Sequence, residues 1–240
     1  MKKIILNLLA LFSVVAINAQ ESVYPAKKQE GPVYIMNGTV HVGNGQVLNN
    51  TSIEIKEGKI TAIGSNITPS AGATIADAKG KHVYPGLILS NSNLGLIEIN
   101  SVRATADASE IGDYNPSIRS LVAYNTDSKV INTLKSNGIT HANIVPEGGT
   151  ISGSSSVVQL DAWNWEDAAY ASDNAIHMNM PALFNRPNRF AAFMGQQGPQ
   201  QDPIKRGLEQ IEEIKSFFRE ANVYLNQTQH ASTNLKFEAV

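Results

Sequence analysis

The chain has no cysteine. That absence excludes disulfides, thiolate zinc sites and thiol catalysis together, while leaving the compartment open. Charge is also sparse. Charged residues make up 17% of the 240 positions and the formal net charge is −2, so nothing here builds a basic surface for nucleic acid. Paired histidines are missing as well. His41, His82, His141, His177 and His230 include no two at i, i+2 or i, i+4. Those are the spacings that set two imidazoles on one face of a strand or helix. Long apolar runs are absent but for one, at the start. What remains is 42% hydrophobic, the composition of a globular protein of one or two domains.

The one apolar run identifies a compartment. Met1-Lys2-Lys3 is basic, residues 4–17 are mostly apolar, and Asn18-Ala19-Gln20 places a small residue before a polar chain. This is the layout of a secretory signal peptide over residues 1–19. The run is shorter than the about 20 residues that span a bilayer, so an uncleaved anchor is the weaker alternative. The chain is therefore expected to be exported, periplasmic or secreted, with no transmembrane span after the signal peptide.

Residues 20–32 read as a flexible lead-in. Residues 33–83 read as short strands separated by turns at Asn37-Gly38, Gly43-Asn44-Gly45, Asn49-Asn50 and Glu57-Gly58. Apolar residues alternate on both sides of Glu57-Gly58, as a hairpin with one buried face requires. Asn115-Pro116 has the pattern of a helix start, with Ile118, Leu121 and Val122 as its apolar face. A second helix begins near Asp127-Ser128, buries Val130, Ile131 and Leu134, and stops at Asn137-Gly138. Lying between two strands, it predicts a βαβ unit and a parallel sheet. A third helix starts with Asp202 as cap and Pro203 at its first position, and carries Ile204, Leu208, Ile211, Phe218 and Ala221 at helical spacing. Residues 185–201, rich in Pro, Gly, Asn and Gln, read as a long loop or lid.

The most informative segment is Tyr84-Pro85-Gly86-Leu87-Ile88-Leu89-Ser90-Asn91-Ser92-Asn93. It resembles the first barrel strand of the amidohydrolase superfamily, which continues Pro-Gly-Leu-Ile-Asp-x-His-x-His. Upstream, Ile35-Met36-Asn37-Gly38-Thr39-Val40 and Asp77-Ala78-Lys79-Gly80-Lys81-His82-Val83 are similar to the family's opening motifs, in the right order. Downstream, Asn137-Gly138-Ile139-Thr140-His141-Ala142-Asn143-Ile144-Val145 resembles its second strand. Residues 148–160 resemble the imidazolonepropionase-like branch. The resemblance covers residues 33–160 well and the helical region after Asp202 loosely.

The same resemblance exposes a defect. Leu89 stands at the Asp position, and Asn91 and Asn93 stand where the two metal-binding His belong. Residues i and i+2 of a strand share a face, so two imidazoles there grip one ion. An amide oxygen is a weak ligand for zinc. Zinc is the family's expectation; for this chain no cofactor is predicted. The family's remaining ligands come from later strands: a bridging Lys or Glu, two more His and an Asp. Fewer residues follow Tyr84 than the about 250 of a closed (β/α)₈ barrel, so none of those strands fits.

The fold expected is α/β: a small N-terminal β-sandwich portion (33–83) followed by the first βα units of a TIM-like barrel (84–240), incomplete. Asn91, Asn93, His141 and Trp163 are the candidate pocket residues, with His141 on an expected barrel strand near the mouth. Trp163 and Trp165 alternate with Asn164 and Glu166, which sets both rings on one face of an extended segment, either to stack on a ligand or to pack on the sheet. The run at 148–156 lacks the Gly-Lys-Ser/Thr ending of a phosphate loop and reads as a reshaped loop rather than an anion cradle. Asp107, Glu110, Asp113, Asp161, Glu166 and Asp167 offer carboxylates without a spacing that selects a pair.

The functional expectation is an exported amidohydrolase-like protein of a lineage that hydrolyses amide or cyclic amide C–N bonds, not competent in this chain. Two alternatives stand beside it. One is a non-catalytic protein that binds a small molecule at the old barrel mouth. The other is a hydrolase whose metal is held by later strands. An open sheet edge predicts self-association.

Overall fold

A computed structural model describes residues 25–26, 29–184, 202–227 and 232–240. The signal-peptide segment 1–19, the 185–201 loop and His230 lie outside the described residues, as does part of the lead-in. The architecture is mixed α/β, with two sheets and few helices.

The first sheet holds β1 (Val33–His41), β2 (Val47–Lys56), β3 (Lys59–Gly64), β4 (Thr74–Asp77) and β5 (His82–Val83). The order is β3-β2-β1-β4, with β5 also on β1. β1, β2 and β3 run antiparallel, while β4 and β5 lie parallel to β1. The expected hairpin forms at Glu57-Gly58, where both residues take positive φ (51° and 71°). That is the twist a two-residue hairpin loop needs.

The second sheet runs β6 (Leu87–Ser92), β7 (Ile139–Ile144), β8 (Ile151–Gln159) and β9 (Ala169–Met178), in that order. β6 and β7 are parallel, joined through α1 (Lys129–Ser136), as the βαβ reading requires. α1 ends as expected, with the Asn137 and Gly138 N–H groups donating to Leu134 and Lys135 carbonyls and Gly138 at φ 82°. Beyond β7 the parallel expectation fails: β8 and β9 are antiparallel. Residues 145–150 are too few for a crossover, which takes about a dozen residues or more, so the chain turns back on itself.

That return makes β8 a central strand where the sequence reads as a loop. Ser155 and Ser156 are fully buried in it. It also explains why no α-helix follows Asn115-Pro116. Backbone groups of this segment are taken by the β8 edge beyond the end of β7. Asn115 N–H donates to Ile151 O (2.9 Å), and Ser154 N–H donates to Ile118 O (2.7 Å). Only a short 3-10 turn, Ser120–Ala123, follows. Gly153, at φ 131°, permits this approach, since a Cβ there would meet Ile118 O at 2.5 Å.

The core lies on one face of the second sheet. Ala142, Ile144 and Val158 pack with Leu94, Leu121, Tyr124 and Ile131 of α1. The 163–167 segment differs from the extended reading. Trp163 sits in a bend, and Trp165 opens the short helix α2 (Trp165–Ala168). Asn164 caps it by accepting from Asp167 N–H (2.8 Å), and Asp167 reaches back to Trp163 N–H (3.0 Å). Trp165 packs against the core while Trp163 is 62% exposed, so the rings do not share a face.

α3 (Pro203–Leu225) begins as predicted: the Asp202 side chain accepts from Ile204 N–H (3.0 Å) with Pro203 in the first turn. Its buried stripe is Gly207, Ile214 and Ala221. Ile204, Leu208 and Phe218, expected inside, are exposed. Gly207 sets the stripe by close approach, since a Cβ would lie 2.5 Å from Leu183 Cδ2. A last short helix, α4 (Leu235–Glu238), packs Phe237 against Phe217 and Tyr224. Among the described residues no helix is long and apolar enough to cross a membrane.

Candidate functional site

The C-terminal ends of β6 and β7 lie side by side, and a bulge in β6 decides what they present. Leu89 pairs with Ala142 and Ser92 with Ile144, so β6 carries one residue more than β7 over this step. Ala142 and Ile144 belong to the core, and Leu89 packs on it. By register, Asn91 and Asn93 therefore fall on the opposite, open face. Asn91 is exposed, and Asn93 Nδ2 donates to Glu147 Oε1 (3.2 Å). Asn143 of β7 shares that face, and its Nδ2 donates to Ser90 O (3.3 Å). Asn143 Oδ1 is buried and has no hydrogen-bond partner among the described residues.

Sequence reasoning missed Asn143 and Glu147. The signal for Asn143 was its i+2 relation to His141 on a strand. Glu147 carries no local signal, because only the pairing of β6 with β7 brings it to Asn93.

His141 and Trp163 are not gathered with the two asparagines. His141 pairs with Ile88 on one side and Gln159 on the other, which sets it back toward the start of β7. Its Nδ1 shares a hydrogen bond with Thr140 Oγ1 (2.9 Å), and its ring meets Tyr170 edge-on at 4.9 Å. Trp163 follows the end of β8. Because β8 is antiparallel to β7, that is the end of the sheet away from Asn91 and Asn93. His177 on β9 is partly buried, with Nε2 unpartnered among the described residues, and burial pushes its pKa down.

Asn91 and Asn93 do not fit zinc. They offer neutral amides, and one of those is committed to a carboxylate. Among the described residues no group of three or more His, Cys, Asp or Glu is placed to hold a metal ion. Of the carboxylates the sequence offers, Asp161 is ion-paired with Lys135 and Asp167 accepts from Trp163 N–H.

A separate hollow of about 580 Å³ opens between β8, β9, residues 116–119 and α4. Arg119 and Asp173 line it, joined through Nε (2.8 Å) and Nη2 (2.7 Å) to Oδ2. Ser154 Oγ donates to the other carboxylate oxygen (2.9 Å). Arg119 first, then Ser154, holds the Asp173 carboxyl below its usual range. Asp173 sits in a β9 bulge at φ 49°.

No protein-family model matches the chain, and none of the curated proteins matches it. Solved structures do. An amidohydrolase from Thermotoga maritima MSB8 superposes with a TM-score of 0.66 over 86% of this chain, at 21% identity. The likeness shows a shared fold with that protein. The chain spans about half of that protein, 54% of its length. Molinate hydrolase (31% identity, 30% of this chain, 16% of that one, TM-score 0.27) and a D-hydantoinase (33%, 29%, 14%, 0.25) also match, over too little structure to bear on the reading.

Proposed function

We propose that this chain is an exported protein of the amidohydrolase lineage and does not hydrolyse amide or cyclic amide bonds by itself. In this reading residues 33–83 are the β-sandwich portion, and the β6-α1-β7 unit opens a TIM-like barrel. The observation that carries the proposal is Asn91 and Asn93 on the open face of β6, where the lineage places two imidazoles. Without those ligands, no metal held there lowers the pKa of an attacking water. The shared fold supports the lineage, and the fold alone does not name a substrate.

The test is elemental analysis of the dialysed chain, joined to a hydrolysis screen over N-acyl amino acids and cyclic amides with added zinc. The expected result is no turnover above the metal-only control. One zinc per chain lost on Asn91→Ala, or turnover lost on that change, overturns the proposal.

One observation favours a second reading, a protein that binds a small molecule without turning it over. Asn143, whose Nδ2 donates to Ser90 O, has a buried Oδ1 with no partner among the described residues, and buried acceptors are nearly always satisfied. A ligand donor completes it.

A further inference from the structure

His41 and His82 stand 41 residues apart in sequence, and the fold brings their rings together. In the β1–β5 ladder Thr39 pairs with His82 and Val40 with Val83. The next step sets His41 opposite Tyr84. Strand alternation then puts His41, His82 and Tyr84 on one face. His41 Nε2 lies 2.7 Å from His82 Nδ1. The His41 ring is stacked on Tyr84 at 4.2 Å and 15°, which fixes its plane. At this distance the two ring nitrogens point at each other, one donating the shared proton and the other accepting it.

We infer that His41 and His82 form a two-imidazole site for a borderline divalent transition metal, with Cu²⁺ preferred. A metal in place of the shared proton sits off the N–N line, and each ring turns to aim its lone pair at it, with little change in the distance between the nitrogens. Metal–imidazole bonds of about 2.0 Å at a right angle span roughly 2.9 Å between nitrogens. Both side chains reach solvent, so water fills the remaining coordination positions. Two neutral nitrogens and water suit Cu²⁺ best among the common divalent ions, by ligand type and by the general affinity order. The site lies at the edge of an apolar groove of about 250 Å³ walled by Val42, Ile60, Ile63 and Pro85, so it is approached from one side. It belongs to the first sheet, whereas Asn91 lies in the second, and it does not rest on the proposed lineage.

The test is Cu²⁺ titration of the full chain in glycine buffer, read by electron paramagnetic resonance. The expected spectrum has two equatorial imidazole nitrogens at one Cu²⁺ per chain. His41→Gln and His82→Gln each remove one nitrogen from the spectrum and weaken binding by about tenfold or more; His141→Gln changes neither. As a check that needs no variant, Cu²⁺ at a fraction of one equivalent broadens the His41 and His82 imidazole resonances before those of His141 and His177. Spectra and affinity unchanged in His41→Gln and His82→Gln, or earlier broadening at His141 or His177, overturn the inference.

Discussion

Tyr34 lies directly opposite Glu54 in the β1–β2 ladder, and its buried phenol donates to Glu54 Oε1 at 2.6 Å. Lys56 Nζ reaches the same oxygen at 2.7 Å, and Thr61 Oγ1 donates to the other at 3.0 Å. Lys56 first, then Tyr34 and Thr61, hold the Glu54 carboxyl down to about 2, against its usual 4.5. A carboxyl whose pKa falls on folding stabilises the fold above its unfolded value. That contribution is complete above pH 4.5 and is lost as pH falls toward 2. Tyr34→Phe removes one donor. The expected result is a Glu54 pKa raised by about half a unit or more, and acid unfolding of the first sheet at a higher pH. Carboxyl-resolved NMR titration with circular dichroism measures both. Identical curves for the two proteins would show that the phenol does not hold this carboxylate.

Gly153 tests the return of β8. Its φ of 131° is closed to other residues, and a Cβ would sit 2.5 Å from the Ile118 carbonyl oxygen, a backbone atom that Ser154 N–H also holds. Gly153→Ala is expected to cost about 2 kcal/mol or more, the combined effect of backbone strain and overpacking. Gly64→Ala, in open space, is the matched control and changes stability by about 0.5 kcal/mol or less. Equal urea midpoints for the two variants would mean that residues 115–119 do not lie against β8.

These two sites show which parts of the fold were legible. The Glu57-Gly58 hairpin, the stop of α1 at Asn137-Gly138 and the Asp202-Pro203 start of α3 were readable because a few adjacent residues decide each. The direction of β8 was not. Its run of Gly and Ser reads as a loop until residues 115–119 are seen to need that thin surface. Asn115-Pro116 has a helix-start pattern, but its backbone groups find partners on β8 first. At the candidate site, the spacing of Asn91 and Asn93 was legible, since strand alternation is local. The Asn93–Glu147 bond, the set-back position of His141 and the pairing of His41 with His82 were not, because each depends on strand register.

Export is a prediction that the first residues alone carry. Met1-Lys2-Lys3, the apolar run and Ala19 predict cleavage near Ala19-Gln20. Mass spectrometry of the protein from its native host should find a chain beginning near Gln20 outside the cytosol. Intact chain retaining Met1 in the cytosol would count against export.

The outer edge of β6 is where self-association is expected. β6 pairs with β7 on one side, and no other strand lies beside it among the described residues. Its Leu87-Ile88-Leu89-Ser90-Asn91-Ser92 carries no charge and no proline to discourage a further strand. Leu87 and Ile88 are 61% and 62% exposed, so strand addition would also cover apolar surface. β7 and β8 have neighbours on both sides, so their amides should exchange slowly while the outward amides of β6 exchange fast. Light scattering after size exclusion should show mass rising with concentration. Ile88→Lys places a charge on the edge without touching the buried face, and should return the protein toward monomer with its circular dichroism unchanged. If the wild-type chain stays monomeric at every concentration, with β6 amides protected as well as those of β7, then something already covers this edge and the prediction fails.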